Sequence, residues 1–524
     1  MRAALLFVAA AAAFAQPVRL MVDAARPLGP LAPIYRYFGY DEPNFTYAEH
    51  GRKLIGELAA LSREPVYIRT HFLLATGDGA PDFKWGSTNA YTEDANGRPV
   101  YDWTIVDRIF DTYLHAGAKP FVEIGFMPQA LSAKPEPYRP VWSPGAAFDR
   151  YYVGWSYPPK DYAKWGELVR RWVAHAAEKY GRAEVESWYW EVWNEPDIAY
   201  WHGTPEEYDR LYDAAAAAVK AAAPRARVGG PASTGPSGAR AAAFLRQFLE
   251  HCERTGAPLD FISYHAKGRP AVVDGHVRMG LEKEAQDVEA GYRIVASFPK
   301  FRALPIILSE ADPEGCAACS ARVYPQNAYR NGPLYASYTA AAMKKILDLA
   351  AQDGVRIEGM LTWAFEFENQ PWFEGFRTLA TNGVDKPVLN VFRMAGLMRG
   401  NRVAVEGASG AVDALAARGD REISVMAWNY SAEDVPGPEA EVRIAVEGAP
   451  ARALVLEYRI DGRHSNAYAA WQRMGSPQKP TAEQYAELEA AGQLQQTGSP
   501  RWMDARELQL RLPRQAVALV QWSW

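Results

Sequence analysis

Two glutamates stand at the ends of apolar runs. Glu195 closes WYWEVWNEP (Trp188–Pro196) and Glu310 closes LPIILSE (Leu304–Glu310). Aromatic and β-branched residues favour a buried strand, and Pro196 stops one, so each run is read as a strand presenting its glutamate at the carboxyl end. Parallel α/β folds keep their chemistry at that end. An isolated glutamate is more often a rim carboxylate in an ion pair. Two of them delivered to one rim suggest glycoside hydrolysis, in which one carboxyl protonates the leaving oxygen and the other acts at the anomeric carbon, about 5–5.5 Å away in retaining enzymes.

Other polar residues fall at comparable positions. His71 follows the run Pro65–Thr70 and His265 ends Phe261–His265. A lone histidine at such a position is more often a satisfied core residue. Arg69 is placed to form an inner ion pair that orients carboxylates, with structural and catalytic readings equally open. Tyr264 could help to orient Glu310. Glu366 and Glu368, beyond the last strand, are candidates for hydroxyl binding.

The elements that must position these residues alternate. Strand signals at Ile34–Gly39, Pro65–Thr70, Lys119–Gly125, Ser187–Trp193, Arg227–Gly230, Phe261–His265, Pro305–Glu310 and Ile357–Phe365 are separated by helical stretches. The clearest helix is Asp161–Tyr180, whose Trp165, Leu168, Val169, Trp172 and Val173 share one face. Thr204, Pro205 and Glu207 spell a capping box that opens the next. Eight alternations without a phosphate-loop or G-x-G-x-x-G pattern predict an α/β fold of the (β/α)8 TIM-barrel type over residues 31–400.

From about Arg402 the period becomes two, in the sets Ile423/Val425/Ala427, Val442/Ile444/Val446, Leu454/Leu456/Tyr458 and Leu508/Leu510/Leu512. These predict a β-sandwich over 401–524. It carries an excursion at 464–499, with a short helix over Thr481–Ala491, that could reach the active-site rim.

Composition bounds the partners. A net charge of −5, from 57 basic and 62 acidic residues, argues against nucleic acid or an anionic membrane surface. The 17 Trp and 28 Tyr offer rings that can stack on sugars, although most aromatics are core. Residues 1–15 read as a signal peptide, with Arg2, the apolar Leu5–Ala12 and the small-residue site Ala13-Phe14-Ala15, so the chain is expected to be exported with Gln16 first. In an exported protein Cys316 and Cys319 read as a small disulfide ahead of a metal site, since zinc needs ligands the neighbourhood does not supply. A thioredoxin-like redox role is the third reading, and Cys252 is read as a small buried hydrophobe.

Several segments resemble one family. IRTHFLL (Ile68–Leu74), WNEPD (Trp193–Asp197), DFISYHAKG (Asp260–Gly268) and SEADP (Ser309–Pro313) are similar to α-L-iduronidase segments of glycoside hydrolase family 39. YRIDGRHSNAYAAW (Tyr458–Trp471) and MGSPQ (Met474–Gln478) resemble the tail of its β-xylosidases. The resemblance implies that Glu195 is the acid/base and Glu310 the nucleophile of a retaining mechanism, and that Asn194 holds the sugar's 2-hydroxyl. It implies that Trp363 lies under the sugar, that His71 and His265 hydrogen-bond sugar hydroxyls, and that residues 16–30 add a strand to the sandwich. Lys267 and Gly268 match the iduronidase residues that receive a sugar carboxylate, whereas the tail favours xylosides.

The resulting expectation is an exported retaining exo-glycosidase, a β-xylosidase first, with a glycoside substrate and no metal or organic cofactor. The alternatives are a uronic-acid-specific glycosidase and a non-catalytic carbohydrate-binding barrel. The oligomeric state is left open.

Overall fold

The computed structural model describes residues 17–363 and 366–524. The segment read as an export signal lies outside these, as does Phe365 of the expected eighth strand. Eight parallel strands close a barrel in sequence order: β1 Tyr37–Tyr40, β2 Tyr67–Thr70, β3 Lys119–Ile124, β4 Tyr189–Val192, β5 Arg227–Ser233, β6 Phe261–Lys267, β7 Pro305–Asp312 and β8 Arg356–Trp363. The predicted runs are all present, with ends that move by up to three residues. β6 and β7 continue past His265 and Glu310, so Lys267 and Asp312 also project from strands.

The helices form as their sequences dictate. Asp161 accepts hydrogen bonds from the backbone N–H groups of Ala163 and Lys164 and caps Tyr162–Tyr180, which buries Trp165, Leu168, Val169, Trp172 and Val173. Thr204 and Glu207 complete the capping box ahead of Pro205–Ala222. Gly117 and Gly354 end Thr104–Ala116 and Pro333–Asp353 in left-handed backbone, where a Cβ would be strained.

Behind the barrel, ten strands form one continuous sheet that folds over its own apolar core. The amino-terminal strand Val18–Pro30 lies within it, antiparallel to Asn401–Glu406 and parallel to Ala440–Glu447. Arg459 Nη1 and Asn429 Nδ2 donate to the carbonyls of Arg511 and Leu512, drawing the far edge back over the core. Three of the four predicted alternations point inward as expected. In Ala453–Ile460 the phase is reversed: Ala453 and Val455 enter the core, while Leu454, Leu456 and Tyr458 are half-buried on the other face. Both faces of this strand are apolar because Tyr458 also packs against the barrel core, so its periodicity was ambiguous.

The excursion over 464–499 contains helices Ala467–Arg473 and Ala482–Gly492. They pack on Trp372, Phe373 and Val384 in the segment after β8. Gln478 Oε1 accepts from the Trp372 N–H at 2.9 Å. The excursion therefore buttresses a rim loop from behind, and none of its residues lines the central cavity.

Candidate active site

Regular strand geometry brings neither glutamate to the centre unaided. β4 stops at Val192, and the chain turns through Trp193 (φ 70°) and Glu195 (φ 43°), both in the left-handed region. Such backbone is costly for side-chain-bearing residues and clusters at functional sites. The turn is fastened by the Glu195 N–H on the Ala232 carbonyl at 2.9 Å and by Trp193 Nε1 on the Tyr200 carbonyl at 3.0 Å.

In β7 the device is a bulge. Leu308 pairs with Tyr264, but the next register partners are Glu310 and His265, so an extra residue switches the strand's parity. Leu308 points outward into the helix layer, and Glu310 is turned inward beside His265.

The two glutamates meet at His265. Its Nδ1 lies 2.8 Å from Glu195 Oε1 and 3.8 Å from Glu310 Oε1. One oxygen of each carboxyl and a ring nitrogen of His265 all fall within 4.8 Å of one another. That spacing could also suit a cation. However, Lys267 Nζ already stands 2.7 Å from Glu310 Oε2, with Arg69 Nη1 at 3.6 Å and His71 Nε2 at 3.7 Å from Oε1, so a metal ion would compete with charges in place. Burial alone would raise the pKa of Glu310, but the charges of His265, Lys267, Arg69 and His71 outweigh it and hold the group well below the usual carboxylate range. Glu310 is a carboxylate held ionised.

Arg69 is the hub of the barrel's upper interior. Fully buried, it donates from Nε to Glu191 Oε2 at 2.5 Å and from Nη2 to Asn194 Oδ1 at 2.9 Å, and it pairs with Glu123 Oε2 at 3.1 Å. The contact on Asn194 occupies the amide oxygen and leaves its –NH2 as the donor end. His71 bridges Glu123 Oε2 at 3.0 Å and Asp41 Oδ1 at 2.8 Å. Burial disfavours its charge, yet Glu123 and Asp41 push its pKa up to about 9.

Beside these groups lies a cavity of about 520 Å³ whose lining includes Glu195, Glu310, His71, Lys267, Gly268, Trp363 and both Cys316 and Cys319, whereas Asn194 and His265 are buried and do not line it. Trp363 lies 4.3 Å from the His71 ring, centroid to centroid, and its indole is accommodated by Gly39, where a Cβ would come within 2.6 Å of it. Gly268 is required by close approach, since a Cβ would meet the Tyr338 hydroxyl at 2.7 Å. Cys316 and Cys319 form a disulfide at the cavity wall, and Cys252 is free and buried. Lys267 is held between Glu310 and Asp312 Oδ2, the latter at 2.8 Å.

Three expected residues are elsewhere. Tyr264 projects from the outer face of β6, and its hydroxyl donates to the Val288 carbonyl at 3.0 Å in the covering helix Leu281–Ala296. Strand alternation sends it away because His265 points in. Glu366 accepts from Gln370 Nε2, and Glu368 is held by His50, so both brace loops outside the cavity lining.

The sequence reading missed Asp41, Lys84, Tyr152, Tyr200 and Glu314 in the lining, and Arg377, which is fully buried and pairs with both Asp312 and Glu314. Asp41 follows β1 directly, and Asp312 lies within the quoted SEADP segment, so strand-end position could have found these two. Lys84 and Arg377 lie in long loops with no such signal.

A closed parallel barrel with paired carboxyl groups at its carboxyl rim is the architecture of a barrel glycosidase. Residues 18–506 match the family described as glycosyl hydrolases family 39, and the chain belongs to that family. It is a glycoside hydrolase of the retaining type. A β-xylosidase of Caldicellulosiruptor saccharolyticus is 30% identical over 399 residues, 74% of this chain and 76% of that protein. An α-L-iduronidase of Mus musculus is 25% identical over 92% of this chain and 77% of that protein. The crystal structure of a monomeric β-xylosidase from Caulobacter crescentus CB15 superposes with a TM-score of 0.78 at 23% identity, covering 96% of this chain and 99% of the other. At that identity the likeness concerns the fold.

Proposed function

We propose that this chain is an exo-acting β-xylosidase working by double displacement, with Glu310 as nucleophile and Glu195 as acid/base. The carrying observation is the approach of the two carboxyl groups across His265, within 4.8 Å at their nearest oxygens. Glu310, held ionised, attacks the anomeric carbon while Glu195 delivers its proton to the departing glycosidic oxygen. The bond to the aglycone breaks as the ester to Glu310 forms. In the second step Glu195 takes a proton from water, the oxygen attacks the same carbon, and Glu310 leaves as carboxylate. Asn194, its oxygen fixed by Arg69, directs its amide at the 2-hydroxyl, and Trp363 lies under the ring.

The β-xyloside specificity is supported by the Caldicellulosiruptor relative and by the charge arrangement of the site. Lys267, the residue that would receive a uronate, is already neutralised by Glu310 and Asp312. Against this, Lys267 and Gly268 do line the cavity, and the murine relative is an iduronidase, which favours a uronide as the second reading.

Aryl β-xyloside and aryl uronide, each assayed with the parent and Lys267→Ala, separate the two. Xyloside turnover by the parent is expected. Uronide turnover that is lost in Lys267→Ala while xyloside turnover persists would establish the second reading. A broad glycoside panel without turnover, with saccharide binding intact, would leave a binding barrel. We also propose export, for which the mature amino terminus should be Gln16.

A further inference from the structure

On the cavity wall, one imidazole away from Glu310, lies an ion pair that the double displacement does not use. Asp41 leaves the end of β1, and its Oδ1 meets His71 Nδ1 at 2.8 Å, while the other ring nitrogen of His71 faces Glu310 at 3.7 Å. The second oxygen of Asp41 binds the ammonium of Lys84. Both residues line the same cavity as Glu195, Glu310 and Trp363, yet they are only 1% and 3% exposed.

Lys84 is an unusual residue to find there. It comes from the loop after β2 with left-handed backbone (φ 54°), a conformation unfavourable for a side chain of its size. Its backbone is pinned on both sides: the N–H donates to Glu42 Oε1 at 3.0 Å, and the carbonyl accepts from the Tyr151 hydroxyl at 2.6 Å. Burying an ammonium and a carboxylate is no cheap route to stability, because a well-packed apolar pair commonly does as well. The effort of holding this pair at a cavity wall points to something that the cavity receives.

The chemistry of the pair specifies what. An ammonium has three donors and a carboxylate about four acceptor sites, so the contacts named leave capacity of both kinds. A vicinal diol needs both, since each hydroxyl donates one proton and accepts another, and charged partners make the stronger bonds. His71 separates the pair from Glu310, and Asn194 is proposed to hold the 2-hydroxyl, so the diol left for the pair is that of C3 and C4. Glu366 and Glu368, the candidates that the sequence offered for hydroxyl binding, are engaged by Gln370 and His50 instead.

We infer that Asp41 and Lys84 together form the clamp that reads the C3 and C4 hydroxyls of the sugar, and so select a terminal sugar on which both hydroxyls are free. The inference rests on the roles proposed for Glu195 and Glu310, but it does not depend on whether the sugar is xylose or a uronic acid, because both carry this diol. A sugar lacking either hydroxyl leaves one member of a buried charged pair underused, and a chain extended through O3 or O4 cannot enter. Exo action is thereby built into the wall.

The test pairs enzyme variants with deoxy substrates. The parent substrate is the aryl β-xyloside or the aryl uronide, whichever the unmodified enzyme hydrolyses, and that choice by itself decides the specificity reading. Its 3-deoxy and 4-deoxy counterparts are then compared by kcat/KM. The unmodified enzyme should lose about 10- to 100-fold on each. In Lys84→Met the parent substrate should become slow and the deoxy penalty should vanish, which a merely structural lysine would not produce. Because Lys84→Met strands a buried carboxylate, Asp41→Asn/Lys84→Met serves as the variant without an unpaired charge, with folding checked by Tm. Deoxy substrates cleaved as fast as the parent by the unmodified enzyme would overturn the assignment. So would an undiminished penalty in either folded variant.

Discussion

The barrel interior has two layers built by the same strands, two residues apart. The lower layer is Tyr37, Tyr67, Phe121, Tyr189, Phe261, Ile307 and Leu361, packed ring on ring, with Tyr37 and Tyr67 stacked at 5.3 Å and Tyr189 edge-on to Phe261 at 5.2 Å. One step up each strand, Tyr67 gives way to Arg69, Phe121 to Glu123 and Tyr189 to Glu191, and all three charges are fully buried. Apolar packing tolerates substitution of similar volume. A buried ionic layer does not, because removing one member strands another. The lower layer closes the barrel. The upper layer fixes the charge and direction of Glu310 and Asn194.

That contrast can be broken at its sharpest point with Glu310→Ala. Loss of the proposed nucleophile is expected to lower kcat on the preferred aryl glycoside by about 10⁴-fold or more. Stability should change little, because Lys267 keeps Asp312 and Arg69 keeps Glu191 and Glu123. Retained turnover would remove Glu310 from the chemistry.

The layers themselves are compared by Arg69→Met against Phe121→Leu. Arg69→Met uncovers Glu191 and Glu123 and should cost about 3–5 kcal/mol in denaturant unfolding, together with most of the activity. Phe121→Leu should cost about 1–3 kcal/mol and leave kcat of the folded enzyme near the parent value. Equal losses of activity in the two variants would show that the layers are not functionally distinct.

Lys267→Met probes a single charge. The folded-state pKa of Glu310 is depressed, so this carboxylate stays ionised until the pH falls through that lowered value. Lys267 is one of the cations that depress it. Without it the acid limb of the kcat/KM profile should move to higher pH. A limb that stays in place would assign it to another group.

The lower layer and the barrel as a whole were legible in the sequence, because eight apolar runs between amphipathic helices have few other ways to pack. Both glutamates were legible as strand ends for the same reason. What the sequence concealed is how they are aimed. The left-handed turn at Trp193 and Glu195 and the bulge before Glu310 are departures from regular backbone, made by residues with no special preference for them. The alternation in β6 is readable and sets Tyr264 opposite to His265, so its expected part in orienting Glu310 gives way to parity. Lys84 and Arg377 were invisible for a different reason: long-range ion pairs from loops leave no periodicity. The same limit applies to Ala453–Ile460, where two apolar faces hid which one met the core.

Tyr264 offers the finest version of the comparison, since it differs from His265 by one residue and by the face of β6. Its hydroxyl serves the carbonyl of Val288, and its ring packs where Gly291 leaves room: a Cβ there would fall 2.2 Å from the ring. Tyr264→Phe keeps that ring and removes one hydrogen bond to a carbonyl already inside a helix. Thermal unfolding should report a loss of about 1 kcal/mol, with kcat and KM unchanged. His265→Phe, by contrast, removes the ring nitrogen between the two carboxyl groups and should abolish most turnover. A Tyr264→Phe enzyme with strongly reduced kcat would mean that the outer face of β6 also governs Glu310, and that the division between the faces of this strand is less clean than its alternation implies.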